Sequence, residues 1–77
     1  MKVTLESTEK IFELTLNGQT FPARIWEGTT ALGIRCHAYI TRIAVHQDDN
    51  AIEFERELQE HRKPTAAIQA IPLRMIL

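Results

Sequence analysis

The stretch Lys10–Glu27, KIFELTLNGQTFPARIWE, decides how this chain folds. In its first half Phe12, Leu14 and Leu16 alternate with Ile11, Glu13 and Thr15. A period of two is the signature of a half-buried strand. The second half alternates again, with Phe21, Ala23 and Ile25 on one side and Pro22, Arg24 and Trp26 on the other. Between the two lies Asn17-Gly18, a pair that takes positive φ at both positions and suits the type I′ turn of a two-residue hairpin loop. The stretch therefore predicts a β-hairpin. Pro22 carries no backbone N–H, so it belongs at an edge, at a bulge, or where its nitrogen faces away from a partner.

Downstream, Gly28–Gly33 (GTTALG) reads as a connection and Gly33–His46 (GIRCHAYITRIAVH) as a long third strand. Its even positions Ile34, Cys36, Ala38 and Ile40 are apolar, then Ile43 and Val45 take over the odd ones. That parity change predicts either a bulge near Thr41-Arg42 or burial on both faces. Upstream, Val3 and Leu5 alternate with Lys2, Thr4 and Glu6, giving an edge strand or a tail.

After the acidic turn Gln47–Asn50, a helix is predicted from Asn50 to Arg62. Asp49 or Asn50 can cap it, Asn50 having capping-box spacing with Glu53, and Arg62-Lys63 complement the dipole at the far end, where Pro64 stops the helix. Ala51, Phe54 and Leu58 share one side, while Glu53, Arg56 and Glu60 lie opposite and Ile52 falls between. Thr65–Ala70 suits one further helical turn with Thr65 as cap, and Leu73–Leu77 a short final strand. The fold class expected is α+β: an antiparallel meander of three to four strands packed against one main helix, with a short C-terminal strand, in a single small domain over residues 1–77.

A chain of 77 residues holds one domain at most, and its core is small. The formal net charge is −1, which argues against nucleic acid as a partner, because phosphate binding draws on an excess of Lys and Arg. The single cysteine, Cys36, can form no intrachain disulfide and points to a reducing compartment. The N-terminus lacks the apolar region of a secretory signal, and no apolar run approaches the roughly 20 residues that span a bilayer. The expected location is the cytoplasm, with no membrane partner.

The chemistry-bearing residues do not assemble into a catalytic or metal-binding pattern. Cys36 and His37 are neighbours on a strand and so point to opposite faces. His46 lies roughly 30 Å along the same strand at ~3.3 Å per residue. No metal site and no cofactor are expected. Cys36, among apolar even positions, reads as a small core residue rather than a nucleophile. Gly28 and Gly33 have the spacing that opens a P-loop, but Ile34-Arg35 stand where Lys and Ser or Thr are needed, and a strand follows instead of a helix. No enzyme activity is expected.

Two surfaces remain as candidates for binding. One is the helix, whose segment carries Asp48, Asp49, Glu53, Glu55, Glu57 and Glu60, six of the ten acidic residues; Glu53, Arg56, Glu57 and Glu60 are its candidate contact residues for a protein partner. The other is a sheet face carrying Arg24, Trp26, Arg35, His37 and Tyr39, where aromatic rings and guanidinium groups could stack bases and touch phosphates. A homodimer, through an exposed edge strand or the apolar chain end, is compatible with either.

The segments ARIWEGTT (23–30), HAYITRIAV (37–45), FERELQEHR (54–62) and IPLRMIL (71–77) together resemble small uncharacterised proteins encoded in tailed-phage and prophage genomes. No activity attaches to that group. The resemblance implies a bacterial host cell and a phage accessory protein dispensable for the virion. Such proteins often bind and block a host protein, anti-CRISPR and other anti-defence inhibitors among them. The function expected is non-catalytic protein–protein binding, directed at a host or phage protein.

Overall fold

In the computed structural model, which describes residues 1–76 and side chains through Arg74, the hairpin forms as its sequence requires. Strand β1 (Val3–Leu16) pairs antiparallel with β2 (Gln19–Thr30), with Phe12 opposite Ala23 and Leu14 opposite Phe21. Asn17 and Gly18 both take positive φ, 51° and 78°. Strand β3 (Arg35–Ile40) continues the meander on the far side of β2. The residues Arg74–Ile76 (β4) lie parallel to β1 opposite Glu13, Leu14 and Thr15, so the sheet runs β3-β2-β1-β4. The alternation predicted over residues 1–7 is the first half of β1 itself.

The third strand is shorter than expected and carries no bulge at Thr41-Arg42. It ends at Ile40, and residues 42–46 have no regular structure. Pro22 gives the reason. Thr30 N–H donates to Ile34 O (2.9 Å) at the turn between β2 and β3, so the even residues of β3 exchange hydrogen bonds with β2. Arg24 opposite Ile40 is the last pair. The next hydrogen-bonded pair would set Arg42 against Pro22, which has no N–H to give. The same fact satisfies the proline, whose nitrogen points to the side that β3 does not reach.

The bulge lies in β1 instead. Ser7 opposes Trp26 and Ile11 opposes Arg24, so Thr8, Glu9 and Lys10 face a single residue of β2, Ile25. Thr8 is fully buried there. Its hydroxyl donates to Ile25 O (2.6 Å), and its carbonyl accepts from Arg24 Nη1 (2.7 Å). Backbone groups that the bulge frees from the ladder are thus re-paired by a hydroxyl and a guanidinium. A shift of two residues keeps the parity of β1, so Glu6 and Phe12 stay on one face. Gly28 is required nearby, because a Cβ there would overlap the Thr4 carbonyl oxygen.

Residues directly opposite one another share a face of the sheet. Phe12, Ala23, Ile25 and Tyr39 therefore lie together, and Phe12, Ile25 and Ile68 form the buried cluster with Leu14, Tyr39 and Ile71 against it. The Phe12 and Tyr39 rings are 4.9 Å apart. The core is thus on the odd face of β3, not on the even face of Ile34, Cys36, Ala38 and Ile40. Cys36 is half-buried on the other side, and Ile34 is 61 % exposed.

Two helices serve the two faces. The main helix, α1 (Ala51–Leu58), ends four residues before the predicted stop. Asn50 caps it, accepting from Glu53 N–H (3.0 Å). Phe54 and Leu58 line cavities with Trp26 and Ile43, on the face away from Phe12 and Ile25, and no residue of α1 is buried. The short helix α2 (Ala66–Gln69) covers the core face through Ile68. Between them the chain crosses the edge of β1. Arg62 N–H donates to Ser7 O (3.1 Å) and Glu9 N–H to Arg62 O (2.9 Å). Arg62 cannot both continue a helix and pair with that strand edge, which is why α1 stops early.

Candidate functional site

Glu27 stands in phase with Phe21, Ala23 and Ile25, at the point where β2 faces the core side. A carboxylate buried among apolar side chains must be paired, and this one is. Its Oε1 accepts from Arg62 Nη1 (2.6 Å) and from Thr65 N–H (2.8 Å), and its Oε2 accepts from the Thr65 hydroxyl (2.9 Å). Burial by itself would raise its pKa. The hydrogen bonds from the Thr65 backbone, the Arg62 guanidinium and the Thr65 hydroxyl, with the charge of Arg62, outweigh burial and hold it below the ordinary value of 4.5.

An open cleft of about 650 Å³ lies over this clamp, lined by Glu27, Arg35, His37, Arg62, Thr65 and Ile68 among others. Arg35 and His37 are exposed at its rim. His37 Nε2 lies 3.2 Å from Tyr39 Oη, ring edge against ring face. The cleft holds two carboxylates, Glu6 and Glu27, with an imidazole, a thiol and two guanidinium groups; Glu27 is engaged by three hydrogen bonds, and Glu6, opposite it on β1, lies 3.6 Å from the Arg62 guanidinium. A general base needs a free lone pair and a proton affinity near the working pH. Three hydrogen bonds and a lowered pKa take Glu27 away from that task, and its role is to tie the chain segment 62–65 to the sheet. Among the described residues no group of three or more His, Cys, Asp or Glu side chains is placed to hold a metal ion. No helix among them is long and apolar enough to cross a membrane.

The five sheet residues read as one binding surface are divided between the two faces. Arg24 and Trp26 lie with Ser7 and Ala38, whereas Arg35, His37 and Tyr39 lie with Thr29, Glu27 and Ile25. Arg24 is engaged at the bulge, Trp26 is half-buried beside α1, and Tyr39 is against Phe12. The stacking platform required for single-stranded nucleic acid does not exist in this arrangement. The helix residues, by contrast, do share one surface. Arg56 pairs with Glu53 (2.6 Å) and approaches Glu60 (3.7 Å), all three exposed. Asp48, Asp49, Glu55 and Glu57 are in no ion pair among the described residues; Ile52, one turn before Glu55, is 80 % exposed, whereas Glu57 lines the cavity beside Trp26.

Glu27 is the residue that strand and helix patterning missed, although its signal was present. A glutamate that continues an apolar alternation is either out of register or paired. Its partners each have a local reading in the sequence, Arg62 at a helix C-terminus and Thr65 as a cap. Thr65 does occupy the N-cap position of α2, but its side chain makes no capping bond and serves Glu27 instead. Comparison with protein-family models, curated proteins and solved structures finds no match.

Proposed function

We propose that the chain is a non-catalytic binding protein, a small accessory factor of the kind tailed phages carry into a bacterial cell, which acts by docking on another protein and blocking it. One observation carries this reading. The folded chain exposes 6289 Å² of surface, against about 4,800 Å² for a compact monomer of its 8.8 kDa mass. Its radius of gyration is 13.8 Å, against about 11.5 Å for a compact chain of this length. The described apolar core consists of Phe12, Ala23, Ile25 and Ile68. Small domains with so little interior gain stability from partners.

The docking surface assigned is α1. An apolar side chain ringed by charges is the usual form of an interface anchor, and Ile52 within the acidic stripe has that form. Asp48, Asp49, Glu55 and Glu57 would steer a basic partner, with Glu53, Arg56 and Glu60 at the rim. The test is affinity capture from bacterial lysate in parallel with Ile52→Asp and with Glu55→Lys/Glu57→Lys. A partner retained by the native chain, lost with Ile52→Asp and weakened with the charge reversal supports the reading. Equal recovery by all three removes α1 as the docking surface.

A further inference from the structure

Strand β3 ends the sheet, and one side of it pairs with nothing among the described residues. The turn bond from Thr30 N–H to Ile34 O fixes which groups are left over. Cys36, Ala38 and Ile40 hydrogen-bond to β2, so the N–H and C=O of Arg35, His37 and Tyr39 point outward. The Ile25 carbonyl, which is directed toward β1 and accepts from Thr8, agrees with that alternation. The edge is six residues long and has no proline, lysine or bulge, and Arg35 at its start is its one charged residue.

We infer that this edge is completed by β3 of a second copy of the same chain, antiparallel across a two-fold axis through Ala38. The occupant follows from the sequence of the edge read against itself. With Ala38 on the axis, His37 faces Tyr39 of the other copy, Cys36 faces Ile40 and Arg35 faces Thr41. The outward groups of His37 and Tyr39 then meet as hydrogen-bonded pairs. On the core face the imidazole and phenol rings, already edge to face within one chain at 5.3 Å, extend into a row across the axis. On the other face the contact is apolar, and no like charges oppose each other. The alternative axis through His37 would set two imidazoles against each other and leave Arg35 over Tyr39. The surface excess of about 1,500 Å² over a compact monomer covers the roughly 800 Å² that each partner contributes to a standard interface. The β3 edge lies on a different element from Ile52, so dimerisation and α1 docking are separable.

Sedimentation equilibrium and cysteine cross-linking test this together. The native chain is expected at twice 8.8 kDa, and a mass of 8.8 kDa at every concentration overturns the inference. In a Cys36→Ser background, Ala38→Cys places two thiols in a non-hydrogen-bonded pair, with Cα atoms about 4.5 Å apart, inside the range a disulfide spans. Mild oxidation is expected to give a covalent dimer. Ile40→Cys in that background, whose two copies lie on opposite sides of the axis, is expected to give none. A doubled mass without the Ala38→Cys cross-link, or with efficient cross-linking of Ile40→Cys, overturns the register. His37→Pro removes an outward N–H and the imidazole while leaving the bonds to β2 in place, and it is expected to restore the single-chain mass with the strand signal retained, whereas His37→Ala, which keeps the N–H, is expected to stay dimeric. A folded His37→Pro variant that stays dimeric overturns the edge as the contact.

Discussion

The two faces of the sheet are packed to different depths. On one, Phe12 and Ile25 are 1 % and 0 % exposed, Ile68 closes over them, and the Glu27 clamp holds the covering segment in place. On the other, Trp26, Phe54 and Leu58 are only half-buried, and α1 contributes no buried residue. The difference teaches where stability and availability reside. The Phe12 face holds the fold. The Trp26 face carries a helix that buries none of its residues and whose outer side is exposed.

The sharpest way to break this comparison is to remove the same side chain from each face. Phe12→Ala is expected to cost about 3–5 kcal/mol, the range for deleting a fully buried Phe. A chain of 77 residues has a total stability of about 4–12 kcal/mol, so the variant is expected to lose between about a quarter and all of it. Urea titration followed by circular dichroism measures this. A loss under about 1.5 kcal/mol would show that the Phe12 face does not hold the fold.

The next largest effect concerns the clamp. Glu27→Gln keeps the shape and removes the charge that Arg62 and Thr65 address. The expected loss is about 2 kcal/mol at neutral pH, toward the low end for a charged network because Arg62 keeps contact with water. The sign with pH follows from the lowered pKa of Glu27. A carboxyl whose folded pKa lies below its unfolded one contributes its full stabilisation above the unfolded value of about 4.5 and loses it as pH falls through the folded value. The gap between native and Glu27→Gln should therefore narrow on acidification from neutrality toward about pH 3. A gap of constant width would assign the loss to packing and not to charge.

How much of this was legible in the sequence can be argued from single residues. Asn17-Gly18 and the alternation around it gave the hairpin, because turn chemistry and the period of two are local. Asn50 gave the start of α1 for the same reason. The inner face of β3 was not legible. A strand pattern defines two faces, but which one is inside depends on the partner, and the register through Thr30 and Ile34 set Tyr39 beside Phe12. The early end of β3 was encoded in Pro22, twenty residues away, and could be read only once that register was known. The clamp needed three residues spread over residues 27–65 to meet, a long-range fact with one local hint, a glutamate in an apolar phase.

A milder probe sits on the open face. Phe54→Ala removes the same atoms as Phe12→Ala, but from a side chain that water already reaches. The expected cost is about 1 kcal/mol, since only part of the transfer term is lost and α1 can relax into the space. The same urea titration reads it. A cost equal to that of Phe12→Ala would mean that α1 is an integral part of the core, and the asymmetry between the faces would be gone.

The smallest expected effect on stability tests the functional half of the comparison. Ile52 is 80 % exposed on α1, so exchanging it for Asp deletes almost no buried contact and should move stability by no more than about 0.5 kcal/mol. The new charge adds to an acidic neighbourhood that Arg56 balances only in part, through Glu53 and Glu60. It lies next to Glu53, near the start of the helix, where a negative charge also favours the dipole. Stability and binding should therefore separate at this position: an unchanged urea midpoint together with loss of partner capture. If Ile52→Asp instead unfolds the chain, Ile52 is part of the fold and α1 offers no spare anchor. If it changes neither property, the exposed isoleucine is idle and the docking surface lies elsewhere.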